Sequence, residues 1–231
     1  MKAYKFRGAD QIPFALDILL KRRLYCADWR MLNDPLEGSF SYRYSTLSQH
    51  GVSLNTDYFD EQAELVVDEK KKKKVCSLSL TLKSPLLWAH YASGFTGLAL
   101  EIDLPDVDDR IHGVTYCDNP SLDVASGNQP SFMANQVLSK KFSAWRYEEE
   151  VRIIQDEVWF DLGKVVTKVF CGSKMSAAMF EALSIVCASK GVDIAMIHID
   201  HDGIDPSGNR SPAALLARAQ NEIRQRTGDG A

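Results

Sequence analysis

Apolar side chains recur along this chain with two periods, and the switches between them divide it into elements. Residues 3 to 8, AYKFRG, carry the short alternation of a strand. The following ADQIPFALDILLKRRL places Ile12, Ala15, Leu16, Leu19 and Leu20 at the spacing of one helix face. RLYCADW predicts a second strand. NDPLEG predicts a turn, because Asn and Asp tolerate turn backbone and Pro35 cannot donate to a ladder. From 43 to 74 the chain is polar, with a helix expected over YFDEQAELVVDEKKKKK. This segment reads as an insertion or lid over a sheet that resumes at VCSLSLTL.

SPLLWAHYASG predicts a short helix with Ser84 at the N-cap and Pro85 at its first position. TGLALEID is a strand with Leu98 and Leu100 on one face and Ala99 and Glu101 on the other. HGVTYCD adds a strand, 117 to 131 a loop, and FMANQVLSKKF a helix. EEVRII, KVVTKVFCG and DIAMIHID are strands, with the helix SAAMFEALSIVCASKG between the last two. Short strands, some adjacent in sequence, with one clear strand-helix-strand unit near the end predict α+β with a mixed, split central sheet and flanking helices. A single domain is expected over 1 to 205, followed by a polar appendage at 206 to 231 with room for one short helix.

Composition narrows the class without naming a chemistry. In 231 residues, 27 basic side chains face 31 acidic ones for a net charge of −4, so no global field draws the protein to nucleic acid or anionic lipid. No run approaches the roughly 18 apolar residues of a membrane span, so a cytoplasmic protein without a membrane partner is expected. The five cysteines form no CxxC and total an odd number, which points to buried thiols. No GxGxxG, GxxxxGK[ST], HExxH or GxSxG occurs. The Lys70 to Lys74 run reads as a solvated helix end, and His198, Asp200, His201 and Asp202 as polar residues where a strand runs out.

RYEEEVRII is the most unusual stretch. If the strand includes all of it, Glu148, Glu150 and Arg152 share a face while Tyr147, Glu149, Val151 and Ile153 take the other. Two carboxylates about 7 Å apart on one face repel enough to spread their pKa values unless Arg152 or a ligand cation compensates. The same spacing also suits a salt-bridged, solvent-facing strand.

YKFR, RLYCADWRMLNDPLEG, VCSLS, SPLLWAHYASGFTGLALEID and KFSAWRYEEEVR, in this order, together resemble a widespread bacterial family of unknown function over about residues 4 to 202. That family carries NDPxE, W-x-HYA-x4-G and K-x3-W-x-YE-x-E-x-R motifs. Its order is in turn similar to the ADP-ribosyltransferase fold, including toxin-like and nucleic-acid-modifying branches, with phage defence among the settings implied. The resemblance implies NAD as substrate, Glu150 under the ribose, Glu148 orienting or deprotonating the acceptor, and Arg152 locking the pair. Arg7 or Tyr4 is then expected at the pyrophosphate or adenosine ribose, Ser77 and Ser79 as braces, and Trp88 or Tyr91 stacked on nicotinamide, with His90 in the same helix. Lys141, which opens the last motif, and Asn33, Asp34 and Glu37 of NDPLEG are further candidates. Neither a metal nor a second cofactor is required, and the acceptor is a protein or a nucleic acid. Two other classes stay open: a metal-dependent nuclease or phosphate hydrolase using Asp34, Glu37, His90, Glu148 and Glu150, and a non-catalytic binding module.

Overall fold

The computed structural model describes residues 1–43, 56–123, 129–163, 166–201 and 203–206. The 206 to 231 appendage therefore lies outside the described residues beyond its first position. The predicted α+β class holds: the main sheet runs β14(Asp193–Met196), β13(Val166–Cys171), β6(Leu98–Asp103), β1(Lys2–Arg7), β5(Lys74–Ser79), β11(Glu150–Gln155), β7(Ile111–Gly113), and β3(Ala27–Asp28) adds to β5. β13 and β14 are parallel across α5(Ala177–Lys190), and the other pairings of this sheet are antiparallel, which makes it mixed. Short ribbons β2(Arg23–Tyr25) with β12(Trp159–Asp161), β4(Ser41–Arg43) with β9(Ser121–Asp123), β8(Thr115–Cys117) with β10(Lys140–Phe142), and β15(His198–Asp200) with β16(Gly203–Asp205) complete the strands.

One face of the sheet is covered by α1(Ile12–Lys21) and α5. Ile12, Ala15, Ile18 and Leu19 of α1 and Leu183 and Cys187 of α5 pack on Ala3, Leu98, Leu100, Ile102, Val151, Ile153 and Val169. Each such Ile or Leu contributes about 1.5–3 kcal/mol by leaving water. Leu20, expected on this face, points out and is half exposed, and Ile18 takes its place, as the 3.6-residue period requires. The other face is shared. α3(Pro85–Tyr91) places Leu87 and Trp88 on Phe6, Ala99 and Phe170, whereas α4(Pro130–Leu138) places Leu138 on Val75 and Ile154. A polar strip lies between the two helices.

Several expected elements are divided. RLYCADW breaks at Cys26 because its halves pair with different strands, β12 and β5. The helix expected through Phe142 ends at Leu138, where Ser139 Oγ turns back to the Asn135 carbonyl, and Lys140–Phe142 becomes a strand beside β8. α2(Thr56–Lys72) packs on α4 through Val66, against Met133, Ala134 and Val137, and its described side chains do not border the polar strip as a lid would. The lysine run is only partly solvated. Lys70 is buried under the Trp29 and Phe40 rings with its ammonium on the Gly38 carbonyl, and Lys73 pairs with Asp156, while Lys71 and Lys72 form exposed pairs with Asp68 and Glu69.

Ser93, Gly94 and Phe95 all have positive φ in the turn from α3 to β6. Phe95 is held there by stacking on Trp88 and by its amide on the Trp88 carbonyl. The chain then re-enters β6 at Gly97, whose Cα faces the Arg7 carbonyl and Ala92. A methyl group there overlaps that carbonyl oxygen, which belongs to β1 and cannot swing aside. Gly97→Ala is expected to destabilise the fold by about 1–3 kcal/mol in denaturant unfolding, and an unchanged midpoint would show that β1 can shift.

Candidate active site

The sheet opens between its two central strands. β1 and β5 share a single register pair, Tyr4 with Ser79, while β1 pairs with β6 along its whole length. Farther along, β3 takes over the edge of β5 at Val75, leaving the intervening Ser77 carbonyl without a strand partner. The Lys5 ammonium takes that position, donating to Ser77 O at 2.6 Å. The gap continues into a cleft of ≈ 470 Å³ bordered by the β1 segment from Tyr4 to Gly8, by Ser77 and Ser79, by His90 and Tyr91, by Asn33, and by Lys141, Glu148 and Glu150. That volume lies within the range of small-molecule sites.

Glu150 opens β11 with Arg152 two residues on, on the same face, as alternation predicts. Glu148 is a different case. Residues Ser143–Glu148 form a 3-10 turn and Glu149 has φ 44°, so Glu148 lies outside the strand and strand parity does not place it. It reaches Glu150 by other means: Ser79 Oγ donates to its carbonyl at 2.6 Å, and the Lys141 ammonium bridges its carboxylate (2.6 Å) to that of Glu150 (3.0 Å). A salt-bridged, solvent-facing strand is also excluded, because Lys141, Glu148, Glu150 and Arg152 are all buried, with Arg152 fully so.

NDPLEG supplies both ends of this network. The Asp34 carboxylate caps the Leu36 amide, fixing the turn. Glu37 then forms a two-pronged pair with Arg152 (2.5 and 3.0 Å), which also donates to both oxygens of Glu150 (2.8 and 3.1 Å) and to the Leu138 carbonyl at the end of α4 (2.6 Å). Asn33 Nδ2 donates to the Tyr91 hydroxyl (2.6 Å), which donates to Glu148 Oε1 (2.5 Å).

The two carboxylates consequently differ. Burial opposes ionisation of Glu150 most, but Arg152, then Lys141 and the Ser77 hydroxyl outweigh it and hold the carboxyl well below the usual range. Glu148 is also desolvated, and there burial wins over Lys141 and Tyr91, so its pKa is raised. Burial likewise raises Glu37 against Arg152. The Tyr91 hydroxyl is pushed up by burial and by Glu148, so it remains a donor.

No family model, curated protein or solved structure matches the chain.

The expected site residues divide by position. Tyr4, Arg7, Asn33, Ser77, Ser79, His90, Tyr91, Lys141, Glu148 and Glu150 all border the one cleft. Trp88 does not, and it cannot stack on a ligand: its ring is fully buried and its Nε1 donates to the Leu82 carbonyl. Arg152, Asp34 and Glu37 stand behind the cleft rather than on it. Tyr4 turns its hydroxyl toward Glu101, away from the carboxylate pair. Ser79 braces backbone rather than Glu150. Arg7 is half-buried, its Nε has no hydrogen-bond partner, and it forms no ion pair among the described residues; desolvation lowers its pKa. Lys5, Tyr116, whose hydroxyl accepts from the Glu150 amide, and Tyr147, within 3.1 Å of His90 Nδ1, were not anticipated. For Lys5 the signal was its alternation with Arg7 on the first strand.

Glu37, Glu148 and Glu150 already hold Lys141 and Arg152 as their cations, and Asp34 is committed to its turn. Among the described residues no group of three or more His, Cys, Asp or Glu side chains converges as a metal-binding set; Asp202 lies outside them. The five cysteines are free thiols. No helix among the described residues is long and apolar enough to cross a membrane.

Proposed function

We propose that the protein cleaves the nicotinamide–ribose bond of NAD and transfers the ADP-ribose to a protein or nucleic-acid hydroxyl, amide or guanidine group, or to water. The observation that carries this reading is one cleft bordered by Arg7, a half-buried guanidinium that forms no ion pair among the described residues and whose buried Nε has no hydrogen-bond partner, and by a pair of carboxylates of unequal proton affinity, Glu148 and Glu150. A cleft-lining Arg without a counter-ion favours an anionic ligand, and a pyrophosphate supplies the charge and the acceptor oxygens it lacks.

The chemistry divides accordingly. As the C1′–N bond breaks, nicotinamide leaves as a neutral base and positive charge develops on the ribose. A carboxylate that stays ionised stabilises that charge. Glu150 meets this condition over the whole neutral range, though Arg152 and Lys141 share its charge. Glu148 has the higher proton affinity, so it accepts the proton that the attacking group loses as the new bond to C1′ forms. Asn33 and Tyr91 orient its carboxylate from the far side of the cleft. A toxin or phage-defence role is the biological setting that such an activity fits.

Incubating the protein with NAD and following nicotinamide by chromatography tests the reading. Turnover is expected, and Arg7→Gln should raise KM for NAD by about 10-fold or more, the loss of a charge-assisted pair. Absence of nicotinamide release together with absence of an NAD-dependent rise in thermal midpoint for the unmodified protein would overturn it.

A further inference from the structure

Lys141 lies on β10, which belongs to a separate two-stranded ribbon with β8 and not to the main sheet. From there its ammonium contacts both carboxylates, with side-chain exposures of 2% for Lys141, 6% for Glu148 and 3% for Glu150, so solvent screens either contact only weakly. The main chain here is pinned to β5, by Ser79 on the Glu148 carbonyl and the Leu80 amide on the Glu149 carbonyl, but the φ of 44° at Glu149 breaks the alternation, so the backbone does not set the two carboxylates side by side. Glu150 keeps Arg152 on both oxygens whatever happens at Lys141, whereas Glu148 would keep only a neutral hydroxyl, that of Tyr91.

We propose that Lys141 is a positioning residue that ties Glu148 to the strand carrying Glu150 and sets the pH range over which Glu148 is ionised. Charge arithmetic gives the direction. Three carboxylates, Glu37, Glu148 and Glu150, face two cations, Arg152 and Lys141; removing Lys141 leaves Glu148 beside an ionised Glu150 with no cation of its own. Such a carboxylate takes up a proton. The other titratable groups around Glu148 are the hydroxyls of Tyr91 in α3, Tyr147 in its own turn and Tyr116 in β8, with His90 on the same cleft; Lys5 and Arg7 of β1 also border it, and neither forms an ion pair with Glu148.

The activity readout rests on the NAD reading, while the titration does not. In carboxyl-labelled protein followed by ¹³C NMR, Lys141→Met is expected to raise the Glu148 midpoint by about one pH unit or more. The acid limb of kcat/KM for NAD should move up by the same interval, so that activity lost at low pH returns at high pH. A purely structural lesion produces no such return. Lys141→Arg, which keeps the charge, should leave that limb near its original place. An unmoved Glu148 midpoint in Lys141→Met would overturn the proposal. If the unmodified protein releases no nicotinamide, the NAD reading fails and the titration alone judges Lys141. Should Lys141→Met not fold, the double variant Lys141→Met/Glu148→Gln, which removes the uncompensated charge, is expected to regain a cooperative thermal transition. No recovery would overturn the proposal as well.

Discussion

Glu148→Gln is expected to slow nicotinamide release by about 10²- to 10⁴-fold, the range for removing a positioned proton acceptor, with little change in thermal midpoint. Both halves follow from the contacts. The amide keeps the shape of the side chain: with its oxygen accepting from Lys141, its NH2 donates to the Tyr91 hydroxyl oxygen, whose own proton is released to the cleft. Lys141 still has Glu150 at 3.0 Å, so no buried ammonium is stranded. What disappears is the basic oxygen. The pH profile should report the same group. Burial raises the Glu148 pKa, so the base form is lost at a higher pH than for an ordinary glutamate, and kcat/KM should fall on the acid side through that raised value. Glu150→Gln should also slow release but behave differently in unfolding, because it removes a carboxylate that Arg152 and Lys141 both use. Equal turnover in Glu148→Gln and the unmodified protein would remove Glu148 from the chemistry and leave Glu150 to carry it alone.

The difference between these two glutamates marks where local pattern stops being informative. Alternation correctly put Glu150 and Arg152 on one face and Val151 and Ile153 on the other, because a strand has a fixed period and β11 is covered on both sides. The same period extended back to Glu148 gave the right neighbourhood for the wrong reason. The backbone has already turned at Glu149, and a lysine from another ribbon makes the approach. The Glu37–Arg152 pair joins residues 115 apart in sequence, so no periodicity bears on it. The sequence marked NDPLEG as a turn and Glu37 as a site candidate, without a partner for its charge. Trp88 shows the opposite failure. The resemblance implied a ring stacked on nicotinamide, but Trp88 lies on the buried side of α3. The split between β1 and β5, which creates the cleft, depends on β3 claiming the far end of β5, a competition between strands that residue patterns do not record.

Arg152→Met should be the most destabilising single change in the network, by about 3–5 kcal/mol, because removing one member of a buried ion cluster leaves the others uncompensated. For a chain of this size that corresponds to a fall in thermal midpoint of roughly 6–20 °C. The side chain has no exposed surface, and its loss strands Glu37 and the Leu138 carbonyl at the end of α4 and leaves Glu150 with Lys141 alone. Methionine fills much of the volume, so the deficit is electrostatic rather than a cavity. The sign of the pH dependence separates these causes. In the unmodified protein the Glu150 pKa is depressed, so its contribution is present above the unfolded value of about 4.3 and is lost as pH falls toward the folded one. In Arg152→Met, Glu37 and Glu150 become desolvated carboxylates without that cation, and the folded state binds protons more tightly than the unfolded one. The variant should therefore gain stability, relative to the unmodified protein, as pH is lowered from 7 toward 5, measured by circular dichroism in urea. A second substitution, Glu37→Met, removes one stranded charge and should recover part of the loss. A deficit independent of pH and not relieved by Glu37→Met would mean that Arg152 serves the core through packing alone.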